Sequence, residues 1–355
     1  MDEERNCGIE QRLAGVLLGT AVGDSLGLPA EGMSRRRIRR LWRGKWRHRF
    51  LFGRGMVSDD TEHTLFVAQA LLAHPDDPLA FQRCLAWKLR WWLLGAPAGI
   101  GLATLKSILK LWVGVPPNRS GVWSAGNGPA MRSAIIGVYF SDDAGKRRAF
   151  VSASTRLTHT DPKAEIAALA VAEAAACAIN ENNTTEDCLA QLRDFSSDSE
   201  WRMICEKLQE ARRAGKTVEQ FADLLGLEKG VSGYSYHSVP VALYAWLCHD
   251  NDFREGLESA LNCGGDTDTV GAIVGALLGA KNGRQNIPVD LIDGIREWPR
   301  SVAVLERVAS RLAEQKNSGM PLGPIHYCWP GLIFRNVLFL IVVLLHGFRR
   351  LVPPY

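Results

Sequence analysis

The sequence predicts an all-α domain, and three observations lead there. Apolar residues recur at helical spacing along most of the 355 residues, strand-like alternation is nearly absent, and helix stops and starts punctuate the apolar segments. With 46% hydrophobic and 23% charged residues, the chain can bury a large core and is too apolar for disorder. Polar residues spread throughout, at a mean hydropathy of −0.06, exclude a polytopic membrane protein.

The clearest helical segments are Ile9 to Gly27, Thr61 to Ala73, Leu79 to Leu94, Ala164 to Ile179, Val239 to Cys248 and Val302 to Leu312. Breaks fall at Gly95-Ala-Pro, Val115-Pro-Pro-Asn, Asp161-Pro and the Ser197-Asp-Ser-Glu sequence before Trp201. Typical helix and loop lengths give about a dozen helices. Two helices carry glycine every fourth residue: Gly15, Gly19, Gly23 and Gly27 in the first, and Gly271, Gly275 and Gly279 in a later one. Glycine inside a helix costs roughly 1 kcal/mol relative to alanine, so such stripes imply close backbone approach. Stripes packed on each other, or on a common neighbour, would bring the loop after the first helix near the loop before the later one.

The formal charge of +4 is local in origin, because nine Lys or Arg residues sit between Arg35 and Arg49. That run is expected to be a solvated basic loop or a surface for an acidic protein partner, with nucleic acid as the rival partner. The eight cysteines form no C-x-x-C pair and a chain of this length needs no disulfides, so a reducing, cytoplasmic location is expected. The acidic start MDEERNCGIEQ lacks a secretory h-region. Residues 321–355 differ from the preceding domain (1–320) in carrying the apolar stretch Gly331 to Phe348, interrupted by Arg335, Asn336 and His346. Only Val337 to Leu345 is unbroken, short for a membrane span. A helix docked on the domain is preferred to one lying at a membrane interface.

Two acidic clusters open apolar helices: Ser58-Asp59-Asp60-Thr61 and Gly264-Gly265-Asp266-Thr267-Asp268-Thr269. Ser and Asp are ordinary helix caps that suit the helix dipole, yet each cluster holds more acids than one cap requires. Four carboxylates meeting from two helix starts would be costly to bury without cations. All-oxygen donors point to magnesium, manganese or calcium rather than zinc, and two ions could activate a bridging water. Glu31 follows a helix end as a lone carboxylate. Gly126-Asn127-Gly128-Pro129-Ala130-Met131 is a glycine loop running into a helix, with amides free for an anion and no Walker lysine. His159 and the Ser232 to Tyr236 loop, with Tyr234 and Tyr236, are candidate ligand contacts; packing roles are their alternative.

In this order the blocks GVLLGTAVGDSLGLPAEG, SDDTEHTLFVAQALL, GNGPAMRSAIIG, LTHTDPKA and NCGGDTDTVGAIVGALLGAKNG resemble the ADP-ribosylglycohydrolase family, over roughly Leu13 to Gly283. The resemblance implies a compact multi-helix fold with a binuclear site for two Mg2+ or Mn2+, ligated by Ser58, Asp59, Asp60, Asp266, Asp268 and Thr269. It places Glu31 by the scissile bond, with Asp60 and Asp268 also catalytic. It assigns Gly126, Asn127, Gly128, Met131, His159, Ser232, Tyr234 and Tyr236 to substrate binding. The implied activity is metal-dependent removal of ADP-ribose from a modified protein, with arginine as the leading acceptor. Serine-linked, O-acetyl- or nucleic-acid-linked ADP-ribose, and a non-catalytic ADP-ribose reader, are the alternatives. Where many nitrogenase-type members have an Asp, this chain has Gly99, so no acid role is carried over to that loop.

Overall fold

The computed structural model describes residues 2–42, 44–50, 52–180 and 183–350. Its helices are α1 (Asp2–Gly27), α2 (Arg35–Leu41), α3 (Asp59–Ala73), α4 (Pro78–Leu94), α5 (Leu102–Trp112) and α6 (Ala134–Tyr139). There follow α7 (Ala144–Arg156), α8 (Pro162–Ala178), α9 (Thr185–Asp194), α10 (Ser199–Arg213), α11 (Val218–Leu224) and α12 (Ser235–Cys248). The last five are α13 (Phe253–Leu261), α14 (Thr267–Asn282), α15 (Val289–Gly294), α16 (Val302–Ser318) and α17 (Gly331–Arg349). Among the described residues the only β pairing is isolated bridges between loops, so the fold is all-α as the periodicity predicts. The count exceeds a dozen because one-turn and two-turn helices such as α6 and α15 are too short to show a period.

The centre of the fold is the pairing of α1 with α14. Their glycine stripes lie face to face: a methyl group on Gly15, Gly19 or Gly23 would collide with the carbonyl oxygen of Gly279, Gly275 or Gly271 respectively. Only hydrogen fits between backbones this close. At the end of the seam, Thr267 donates from Oγ1 to the Gly27 carbonyl at 2.8 Å, bringing the start of α14 to the end of α1. The seam is sheathed by α3, α8, α12 and α16, whose apolar faces complete one buried core. Caps act where the sequence places them: Asp161 accepts from Lys163 N, and Asp198 from Trp201 N.

Much of the basic run is built into the fold. Arg35 is buried and bonds Asp223 at 2.5 Å, Trp46 and His48 are buried, and Arg49 lies over the Trp42 ring. Arg39 pairs with Glu219, and Arg43 lies outside the described residues. This corrects the picture of a wholly solvated loop, because Trp42 and Trp46 pull the segment onto the core.

Cys177 and Cys188 form a disulfide joining the end of α8 to α9. The expectation of a chain without disulfides is corrected here: a link across eleven residues of sequence shows no motif.

The tail helix α17 lies on the domain through its polar interruptions. Arg335 donates to Glu297 at 2.9 Å and to the Val57 carbonyl at 2.6 Å, Asn336 to the Gly95 carbonyl at 2.7 Å, and His346 bonds the Pro29 carbonyl at 2.9 Å. Its outward face, including Phe334, Leu345 and Phe348, is exposed. Residues 351–355 of the tail lie outside the described residues.

Candidate functional site

The two acidic clusters meet because the α1–α14 seam ends beside the start of α3. At α3, Ser58 Oγ accepts from Asp60 N at 3.3 Å and so fills the capping role. That leaves Asp59 and Asp60 unneeded as caps. At α14, Asp266 occupies the capping position without capping; instead it accepts from Asn127 Nδ2 at 2.7 Å. Asp60 Oδ2 links the clusters by accepting from Ser58 Oγ at 3.1 Å and from Thr269 Oγ1 at 3.3 Å.

Gly264 and Gly265 make the second cluster reachable. Both have positive φ, and a side chain on Gly265 would overlap the Val231 carbonyl. The Gly265 amide donates to the Met33 carbonyl at 2.7 Å and the Asp266 amide to the Val231 carbonyl at 2.8 Å. The turn is thus pinned between the Glu31 segment and the loop after α11.

These elements enclose a cavity of about 410 Å³. Its walls include Glu31, Ser58, Asp59, Asp60, Asp266, Asp268 and Thr269, together with Gly126, Asn127, Gly128, Met131 and His159. Three predicted substrate contacts do not line it. The Ser232 hydroxyl bonds His237 Nδ1 at 2.8 Å, Tyr234 OH receives a bond from Lys163 at 3.0 Å, and Tyr236 is buried against Trp201 with its OH on Asp198. What this loop presents to the cavity is Gly233, whose carbonyl accepts from Asn127 N at 3.0 Å. A larger depression of about 1510 Å³ shares none of these residues, and its Arg147 and Lys316 are held by Glu173 and Asp142.

The electrostatics are those of crowded acids. Asp60 and Asp268 are held well above the ordinary carboxylate range, chiefly by burial and then by neighbouring carboxylates, Asp24 and Asp59 for the first, Glu31 and Asp266 for the second. Asp59 is pushed up to about 8 by burial and by Asp24 and Glu62. Glu31, at the rim, is raised by desolvation and by Asp266, with Arg350 opposing. Burial and the charge of Arg132 depress His159 to about 3, so its ring is neutral. The ring packs beneath the glycine loop, where a methyl on Gly126 would stand 3.1 Å from Nε2.

Two participants were not singled out in the sequence. Asp24, wholly buried in α1, accepts from Ser58 N at 2.9 Å, from Thr61 N at 3.2 Å and from Thr61 Oγ1 at 2.5 Å. It caps α3 from another helix and fixes the Ser58 to Asp60 turn. Its only sequence signal is an acid inside an apolar glycine-striped helix. Arg132, also fully buried, donates to the Ser154 carbonyl and to Thr158 Oγ1, each at 2.9 Å.

Among the described residues, no group of three or more His, Cys, Asp or Glu is arranged to hold a metal ion as it stands, so a binuclear centre is not a displayed feature. The donors nonetheless fit hard divalent cations. Asp60 Oδ1 and Asp268 Oδ1 are buried with no hydrogen-bond partner, and hydroxyls and carboxylates make up the set.

Comparison with known proteins agrees with this fold. The chain is 33% identical to an uncharacterised protein of Archaeoglobus fulgidus, over 86% of this chain and 97% of that one. It is 27% identical to the ADP-ribosyl-[dinitrogen reductase] glycohydrolase of Rhodospirillum rubrum, over 79% and 88% of the two chains. A solved structure titled ADP-ribosylglycohydrolase-related protein complex superposes with a TM-score of 0.64 at 25% identity, covering 87% of this chain and 99% of that one. The family model for ADP-ribosylglycohydrolase matches residues 6–320. The chain therefore belongs to the ADP-ribosylglycohydrolase family, hydrolases of the glycosidic bond of ADP-ribose.

Proposed function

We propose that the protein removes ADP-ribose from modified protein in a divalent-cation-dependent reaction, with arginine as the acceptor. The observation carrying this is the meeting of Asp59, Asp60, Asp266 and Asp268 with buried carboxylate oxygens that have no partner. Asp60, Asp268 and their neighbours Ser58, Asp59, Asp266 and Thr269 would hold two Mg2+ or Mn2+ ions. When bound, such cations supply positive charge that keeps these acids ionised and polarises the ribose hydroxyls and a water.

The chain's own groups do the rest. Gly126, Asn127 and Gly128 line the cavity, and the small glycine wall suits the diphosphate, while Asn127 orients Asp266. His159, being neutral, hydrogen-bonds ribose without adding charge. Glu31 takes the proton of the attacking water, for which a raised pKa suits it. The surrounding carboxylates stabilise the positive charge that develops at C1″ as the bond to the acceptor breaks. The loop around Gly99 contributes no acid to the cavity. A leaving guanidine needs less help from an acid than a leaving alkoxide, which favours arginine over serine.

The deciding experiment is release of ADP-ribose from arginine-, serine- and nucleic-acid-linked substrates with magnesium, manganese or chelator. Cation-dependent release from the arginine linkage is expected. Release from serine alone, or release indifferent to chelator, overturns the reading.

A further inference from the structure

We infer that α17, which lies beyond the residues matched by the family model, sets which acceptors this enzyme takes. The cavity has two kinds of wall. One is polar, built of two hydrogen-bonded groups, Ser58, Asp60 and Thr269, and Asp266 with Asn127. The other is apolar: Phe339 and Val343 of α17 line the cavity and pack in one cluster with Leu28 and Ala98.

Phe339 is only 3% exposed, and the Arg335 guanidinium lies 4.4 Å over its ring, so its position is set by packing on both sides. The same helix holds the segments carrying the reactive groups. Arg335 bonds the Val57 carbonyl, next to Ser58. His346 bonds the Pro29 carbonyl, and Arg350, just past the helix end, bonds the Glu31 carbonyl at 2.7 Å.

The inference rests on the reading above, in which the polar wall takes ADP-ribose and Glu31 stands at the bond to be broken. The side of the cavity left for the acceptor is then the one that Phe339 and Val343 narrow. An uncharged wall there admits the acceptor side chain by shape and excludes bulky surroundings. Phe339 and Val343 are specificity-determining residues, and Arg350 and His346 are positioning residues for the Glu31 segment.

The test uses the full chain with magnesium and two substrates: ADP-ribosyl-arginine as a free amino acid, and the same linkage within a folded protein. Phe339→Ala is expected to raise the ratio of kcat/KM for the bulky over the compact substrate at least fivefold, and Phe339→Leu to restore it. Val343→Phe, at a half-buried position that tolerates change, is expected to lower the ratio by a similar factor. Affinity for free ADP-ribose, measured by calorimetry, should stay within about twofold, since that ligand has no acceptor. An unmoved ratio in folded variants overturns the inference, as does a parallel loss of free ADP-ribose affinity. If Phe339→Ala does not fold, Val343→Phe decides. If the native chain cleaves neither substrate, the functional reading fails separately. The acceptor wall is then decided by the calorimetric affinity of ADP-ribosyl-arginine relative to ADP-ribose in the same variants, and an unmoved affinity ratio overturns it.

Discussion

Asn127 donates from Nδ2 to Asp266 Oδ2 at 2.7 Å, across 139 residues of sequence, and locks the glycine loop to the start of α14. One side chain thereby ties the glycine wall of the cavity to a carboxylate of the acid cluster. Asn127→Ala should cut activity or cation affinity by about 10–100-fold, the range typical of groups that orient metal ligands. Steady-state turnover against magnesium concentration checks it.

Asp24 acts one layer deeper. Its Oδ2 accepts from Ser58 N, Thr61 N and Thr61 Oγ1, so Asp24→Ala leaves these buried donors unsatisfied, at a cost of at least about 1–3 kcal/mol. Thermal denaturation should show this loss, and cation affinity should fall because the Ser58 to Asp60 turn loosens.

The glycine seam predicts a sharp contrast. Gly19→Ala places a methyl against the Gly275 carbonyl and should destabilise by at least about 2 kcal/mol. Gly8→Ala, in the same helix but with open space around it, should be neutral or stabilise by up to about 1 kcal/mol. Paired Tm measurements decide.

The crowded acids give a pH dependence with a definite sign. Asp59 titrates near 8 and Asp24 near 6, against ordinary values of 3.8. Between pH 4 and 8 the native state therefore binds more protons than the unfolded one, and chelator-treated protein should lose stability as pH rises through that window. Saturating magnesium should raise Tm more at pH 8 than at pH 5. Equal gains at both values would count against cation binding by these carboxylates.

His159, depressed to about 3, is neutral throughout the physiological range. His159→Gln should raise KM while leaving the acid limb of the pH–rate profile in place, because the base proposed above is Glu31 and not the imidazole. A displaced limb would assign the proton transfer to His159 instead.

The all-α class, the main helices, their caps and both acidic clusters were legible in the sequence, because each is written in residues within a turn or two of one another. The glycine stripes went further, since a repeated cost in helix stability announced a close partner helix. Tertiary structure decided the rest. Asp24 and Arg132 are single polar residues whose partners lie 22 to 69 positions away. Tyr236 turned into the core and left Gly233 to face the cavity, a choice made by Trp201 and Asp198 on a neighbouring helix. The polar residues that interrupt the apolar tail proved to be the ones that seat α17 on the domain beside the Glu31 segment, with partners up to 317 positions away. Local periodicity determined which segments are helices and which carry acid. Long-range packing, through contacts that leave no spacing in the sequence, decided which side chains share a wall.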